Sequence, residues 1–231
     1  MDEASGKAPR RKFPRASLPL LAALYLPAVG VLGLAALASV CLNVRMAKLM
    51  QDPLAIYHRH PLFGALSNLG VLLWCAAAAT CLYAAALLRG RGDRRAQRFL
   101  LFSGLFTSVL ALDDLFQVHE DLLERYLGIG ESVAFFLATY GVLFVLYLAV
   151  CRRAILETDW SLLALAMVFF AVSQALDSFH VDIGRWTLLL EDGMKFFGIV
   201  SWFGYHVRAS YHYGRAALQA GGAVCPVDTQ V

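Results

Sequence analysis

Read for polarity alone, the chain alternates long apolar runs with short polar connections. The runs cover Ser17–Leu42, Phe63–Leu88, Phe99–Gln117, Ser132–Cys151, Trp160–Phe179 and Trp186–His206. A helix needs roughly 20 residues to cross a bilayer, and each run is about that long or longer. The first, second and fourth contain no charged residue. Backbone in lipid must satisfy its own hydrogen bonds, and runs of this length do so as helices. The pattern therefore predicts an all-α, polytopic membrane protein with six transmembrane helices over residues 17–208. A basic tail (1–16) precedes them and a second tail (209–231) follows.

Composition agrees with this. The chain is 59% hydrophobic and 16% charged, whereas about 25% charged residues are usual in soluble domains. The first run follows "RRKFPR" but is far longer than the 7–15 apolar residues of a signal-peptide core, so it reads as an uncleaved anchor. Cys41, Cys75, Cys81, Cys151 and Cys225 form no CxxC pair. They read as small packing residues rather than as a disulfide frame or thiolate metal site.

Lys and Arg set the expected orientation. They gather in the N-terminal tail (Lys7, Arg10, Arg11, Lys12, Arg15), in "RGRGDRR" after the second run, at Arg152 and Arg153, and at Arg208 and Arg215. By the positive-inside rule these connections and both termini are cytoplasmic, in a bacterial inner membrane. The net charge of +3 is then a topology signal, and no nucleic-acid-binding patch is evident.

That orientation brings most of the remaining ionisable groups to one depth, in the outer half of the membrane. "LDDLFQVHE" ends the third run with Asp113, Asp114, His119 and Glu120, and Glu131 opens the fourth. "ALDSFHVD" ends the fifth with Asp177 and His180, and "LLLEDGMKFFG" opens the sixth with Glu191 and Lys195. Two hairpins repeat an order: "ALD" then His then Glu, at 111–131 and again at 175–191. Charges inside a bilayer are costly and usually face the bundle interior or serve function. Glu191 and Lys195, four apart in the favourable order, predict an ion pair along the sixth helix.

Carboxylates and histidines from facing helices are also the donor set of metal sites in bundles, where Glu-x-x-His is the usual element. "DSFH" has that spacing with Asp in place of Glu. The expected ligands are Asp113, His119, Glu131, Asp177, His180 and Glu191, holding a divalent ion (iron, manganese or zinc), in a single or dinuclear site. Lys195 and Glu120 are the expected catalytic groups, acting on a membrane lipid or other lipophilic small molecule. The same groups also suit a proton or cation relay in a transporter, or a polar network that only holds helices together. Acidic groups at helix starts and histidines at helix ends complement the helix dipole, which accounts for Glu131 and His119 without any chemistry. His58 and His60 in "YHRHP" read as an exposed loop pair, and His206 as an interfacial residue. Trp74, Trp160, Trp186 and Trp202 read as lipid-facing anchors or packing residues.

"LDDLFQVHE" together with "LLLEDGMKFFGIV" resembles an uncharacterised group of bacterial six-span membrane proteins, a likeness that covers most of the chain and implies no activity. "ALSNLGVLLW" (65–74) is faintly similar to a stretch of the alkaline ceramidases, zinc-dependent membrane amidases. The Ser-x-x-x-His and His-x-x-x-His motifs of that family are missing here, so its zinc ligands do not carry over. "EDGMK" resembles the Asp-x-x-x-Lys of microbial rhodopsins, with Glu191 in the Asp position and the rest of the retinal pocket unrecognisable.

Overall fold

A computed structural model describes residues 18–42, 57–58, 60, 62–90, 93–118, 133–179 and 186–222 of the chain. Among these residues there are helices and no strand. The helices are α1 (Leu18–Cys41), α2 (Ala65–Leu87), α3 (Arg94–Phe116), α4 (Val133–Leu156), α5 (Ser161–Ser178) and α6 (Thr187–Gly222). Each lies on one of the expected apolar runs. Four of them are long and apolar enough to cross a membrane: α2, α3, Thr139–Leu156 of α4, and α5.

The sixth helix departs from expectation at its end. It does not stop near residue 208 but continues to Gly222. Ala209, Tyr213 and Ala217 recur every four residues along it and pack against the core, so an apolar face carries the helix onward. Burial, with Glu157 and Asp93 nearby, pushes the Tyr213 phenol up to about 12, and its hydroxyl donates to the Ala154 carbonyl at 3.2 Å.

The chain divides after Phe63 into two units. The first holds α1, 24 residues without a charge. The second holds the other five helices. There α2 lies along both α3 and α6, α5 lies along α6, and α4 stands beside α3. Asp93 caps α3, its carboxylate accepting from the backbone N–H groups of Arg95 and Ala96 at 3.0 Å each, which fills two of the donors a helix start leaves open.

Two glycines let helices approach closely. A Cβ on Gly104 of α3 would come within 2.7 Å of Leu82 on α2, and one on Gly198 of α6 within 2.6 Å of Phe170 on α5. Small residues at helix contacts serve the same purpose wherever water does not drive helices together.

Trp202 is the centre of the second unit, with only 1% of its surface exposed. Rings from three other helices surround it: Trp74 at 5.7 Å, Phe106 at 5.9 Å and Tyr147 at 6.2 Å between centroids. Its indole N–H donates to Thr107 Oγ1 at 3.0 Å, so the buried polar end is satisfied. Of the four tryptophans, Trp74 and Trp202 are packing residues, whereas Trp160 and Trp186 are exposed.

His206, expected near the inner end of its span, is fully buried among the helices. Its Nδ1 lies 2.9 Å from the Trp202 carbonyl and its Nε2 3.5 Å from the Tyr147 hydroxyl, which in turn meets Ser103 Oγ at 3.0 Å. Sequence position alone put His206 near a boundary; the continuation of α6 carries it inside. Cys81 and Cys151 are likewise buried, as packing residues should be, whereas Cys41 and Cys75 are exposed and do not fit that expectation.

Outward, the bundle is apolar. Leu72, Leu105, Val145, Val168 and Leu188 are all exposed, an amount of exposed apolar surface that marks a membrane or protein contact rather than a water-facing wall.

Candidate functional site at the acidic end of the bundle

The C-terminal halves of α3 and α5 and the N-terminal half of α6 meet at one end of the second unit. Asp113 and Asp114 come from α3, Asp177 from α5, and Glu191 and Lys195 from α6. The strongest contact joins α6 to α3: Lys195 Nζ donates to Asp114 Oδ1 at 2.6 Å. The Asp114 side chain is 12% exposed and that of Lys195 43%, so the carboxylate is largely enclosed while part of the lysine side chain is open. Gly70 of α2 borders the pair, since a Cβ there would stand 3.9 Å from Asp114 Oδ2.

Lys195 attracts the Glu191 carboxylate along its own helix as expected, but its hydrogen-bonded ion pair at 2.6 Å crosses to Asp114 on the neighbouring helix. Spacing along one helix can propose a partner, but the register of α3 against α6 decides between that partner and a carboxylate on another helix.

Asp113 faces another way. It is buried and hydrogen-bonded to the Tyr140 hydroxyl of α4. Consecutive helical residues point about 100° apart, so the "DD" pair addresses two neighbours, α4 through Asp113 and α6 through Asp114. On the other side, Ser173 Oγ of α5 donates to the Glu191 carbonyl at 3.0 Å. Asp177 is exposed, accepts from Gln174 Nε2 at 3.2 Å, and lies close enough to Glu191 for the two carboxylates to repel.

Of the expected site residues, the structure brings Asp113, Asp177, Glu191 and Lys195 to this end of the bundle. His119, Glu120, Glu131 and His180 lie outside the described residues. Among the described residues no three His, Cys, Asp or Glu side chains form a group that could hold a metal. The two hairpins also differ: Asp113 is buried and bonded to the next helix, whereas Asp177 is exposed and bonded within its own. Two participants were not among the expected site residues. Asp114 stood in plain view beside Asp113, and its signal was the 100° step that turns it toward another helix. Tyr140 gave none, being an aromatic residue in an apolar run.

At the opposite end arginines outnumber the acids. Arg95 pairs with Glu157 at 3.2 Å and Arg208 with Asp159 at 3.1 Å, in exposed positions. An all-helical bundle of apolar helices, acidic at one end and basic at the other, is the class these observations define. Within it, the chain belongs to the family described as "Domain of unknown function (DUF8692)", whose model matches residues 20–209. No curated protein and no solved structure matches the chain.

Proposed function

We propose that this is a six-span protein of the bacterial inner membrane, with both termini cytoplasmic, whose acidic end is a periplasm-facing site. There it acts as an enzyme on a lipid or other lipophilic small molecule. The observation that carries the reading is the Lys195–Asp114 pair: an ammonium held at 2.6 Å by an enclosed carboxylate while its own side chain stays 43% exposed. Fixed by Asp114, the lysine is positioned to meet negative charge on a substrate or developing in a reaction.

The distribution of Arg and Lys supports the orientation. The edge-on and tilted rings around Trp202 fill the middle of the second unit, which supports a one-sided site over the rival reading of a proton- or cation-coupled transporter.

The gathering of Asp113, Asp177 and Glu191 at one end of the bundle is in keeping with a divalent ion, iron, manganese or zinc, in a single or dinuclear site. Its donors would be Asp177 and Glu191 with His180, three residues past Asp177 in the sequence, and with His119 and Glu131. Asp113 is committed to Tyr140 and would have to exchange that bond for the ion. Such an ion activates water or polarises a carbonyl; Glu120 would then serve as the general acid or base.

Elemental analysis of the purified protein tests the metal, with about one or two atoms per chain expected and a clear fall in Asp177→Ala and His180→Ala. Folded protein without metal would overturn that part. The substrate part is tested by extracting and identifying lipids co-purified with the chain: Lys195→Gln should lose a species that the parent retains. Identical lipid profiles would count against a substrate site at Lys195.

A further inference from the structure

At the basic end a groove of about 570 Å³ runs between α3 and α4, and four arginines line it: Arg95, Arg98, Arg152 and Arg153. Arg95 and Arg98 are one turn apart on α3, and Arg152 and Arg153 are adjacent near the end of α4, so the guanidinium groups come from two helices onto one cavity. No carboxylate lines it. Of the nearby acids, Glu157 pairs with one of the four, Arg95, while Asp159 pairs with Arg208 and Asp93 with the backbone at the start of α3. Among the described residues Arg98, Arg152 and Arg153 make no ion pair.

The rest of the lining is apolar and includes Phe102 and Val150, both of them exposed on the outer surface of the bundle. The groove thus joins a cationic pocket to a hydrophobic wall. A soluble phosphate would use the first and leave the second bare. A phospholipid uses both: its phosphate meets guanidinium forks, which suit planar bidentate recognition, and its acyl chains lie along the wall. Basic pockets between membrane helices on the cytoplasmic side commonly hold anionic headgroups.

We propose that this groove binds the phosphate of an anionic phospholipid, of the phosphatidylglycerol or cardiolipin type. The site is separate from the acidic end, and its occupation does not depend on any reaction there. The alternative is that the arginines set topology alone, as the positive-inside rule requires.

Native mass spectrometry of the full chain in neutral detergent, titrated with phosphatidylglycerol or phosphatidylcholine, separates these. The expected result is tighter binding of phosphatidylglycerol. Arg98→Gln/Arg152→Gln should weaken it by about tenfold or more, while Arg89→Gln/Arg215→Gln, outside the groove, leaves it unchanged. Millimolar inorganic phosphate should not displace the lipid. Equal binding of the two lipids by the unaltered chain would overturn the proposal, whether or not the variants fold. An equal loss in both arginine pairs would also overturn it, by reducing the effect to net charge, and displacement by phosphate would make this a soluble-anion site.

Discussion

The bundle carries an interhelical ion pair at each end of α3, and the two differ in everything except charge. Lys195–Asp114 joins α6 to α3 at 2.6 Å, with the carboxylate 12% exposed. Arg95–Glu157 lies near the start of α3 at 3.2 Å, with both side chains more than half exposed. In the second pair water competes with the partners, and such pairs contribute little. In the first the carboxylate is largely enclosed, so removing its partner strands a charge. One kind of contact thus ties two helices together at the acidic end and contributes little at the basic end. Surroundings, more than geometry, make the difference.

Three substitutions test that contrast, in order of expected size. Lys195→Met leaves Asp114 enclosed without a cation. Loss of one partner from a fully buried pair costs about 3–5 kcal/mol, and because the lysine is partly exposed we expect about 2–4 kcal/mol, read from chemical unfolding in detergent. A loss below about 0.5 kcal/mol, the range of ordinary surface changes, would erase the contrast between the ends. Tyr140→Phe removes the hydroxyl bonded to buried Asp113 and should cost about 1–3 kcal/mol, the usual consequence of stranding a buried polar group. Arg95→Gln should cost about 0–1 kcal/mol, and that small effect should vanish in high salt. A larger loss there would mean that the basic end is also held together by charge.

The helices were legible in the sequence because they rest on the simplest signal, uninterrupted apolar length. Each apolar run became a helix, and the boundary that failed, at the end of α6, failed where that signal fades. Past His206 the apolar face narrows to Ala209, Tyr213 and Ala217, separated by polar and charged residues, and length no longer reveals it. That Asp113, Asp114, Asp177 and Glu191 share one end was also legible, since depth along a helix follows from residue number.

Partners were not legible. Glu191 and Lys195 have the right spacing to pair, yet the lysine reaches Asp114 on another helix. Asp113 and Asp177 occupy matching places in two similar hairpins, yet one bonds to Tyr140 across a helix contact and the other to Gln174 within its own helix. His206, placed at a boundary by counting, lies at the centre of the buried rings. Each of these depends on how helices are rotated and set against one another, which hydropathy does not encode. Small residues carry that information, as Gly104 and Gly198 do by admitting Leu82 and Phe170, and in a sequence they look like any other glycine.

The central claim is that Lys195 and Asp114 organise the acidic end, and a pair of double-mutant cycles tests it most directly. One combines Lys195→Met with Asp114→Leu, the other Lys195→Met with Glu191→Gln, each followed by unfolding in the same detergent. Residues in contact show coupling energies of roughly 0.5–3 kcal/mol. The account predicts about 2 kcal/mol for Lys195 with Asp114, the double variant recovering much of what the lysine substitution loses, and under about 0.5 kcal/mol for Lys195 with Glu191. Strong coupling to Glu191 together with none to Asp114 would contradict it.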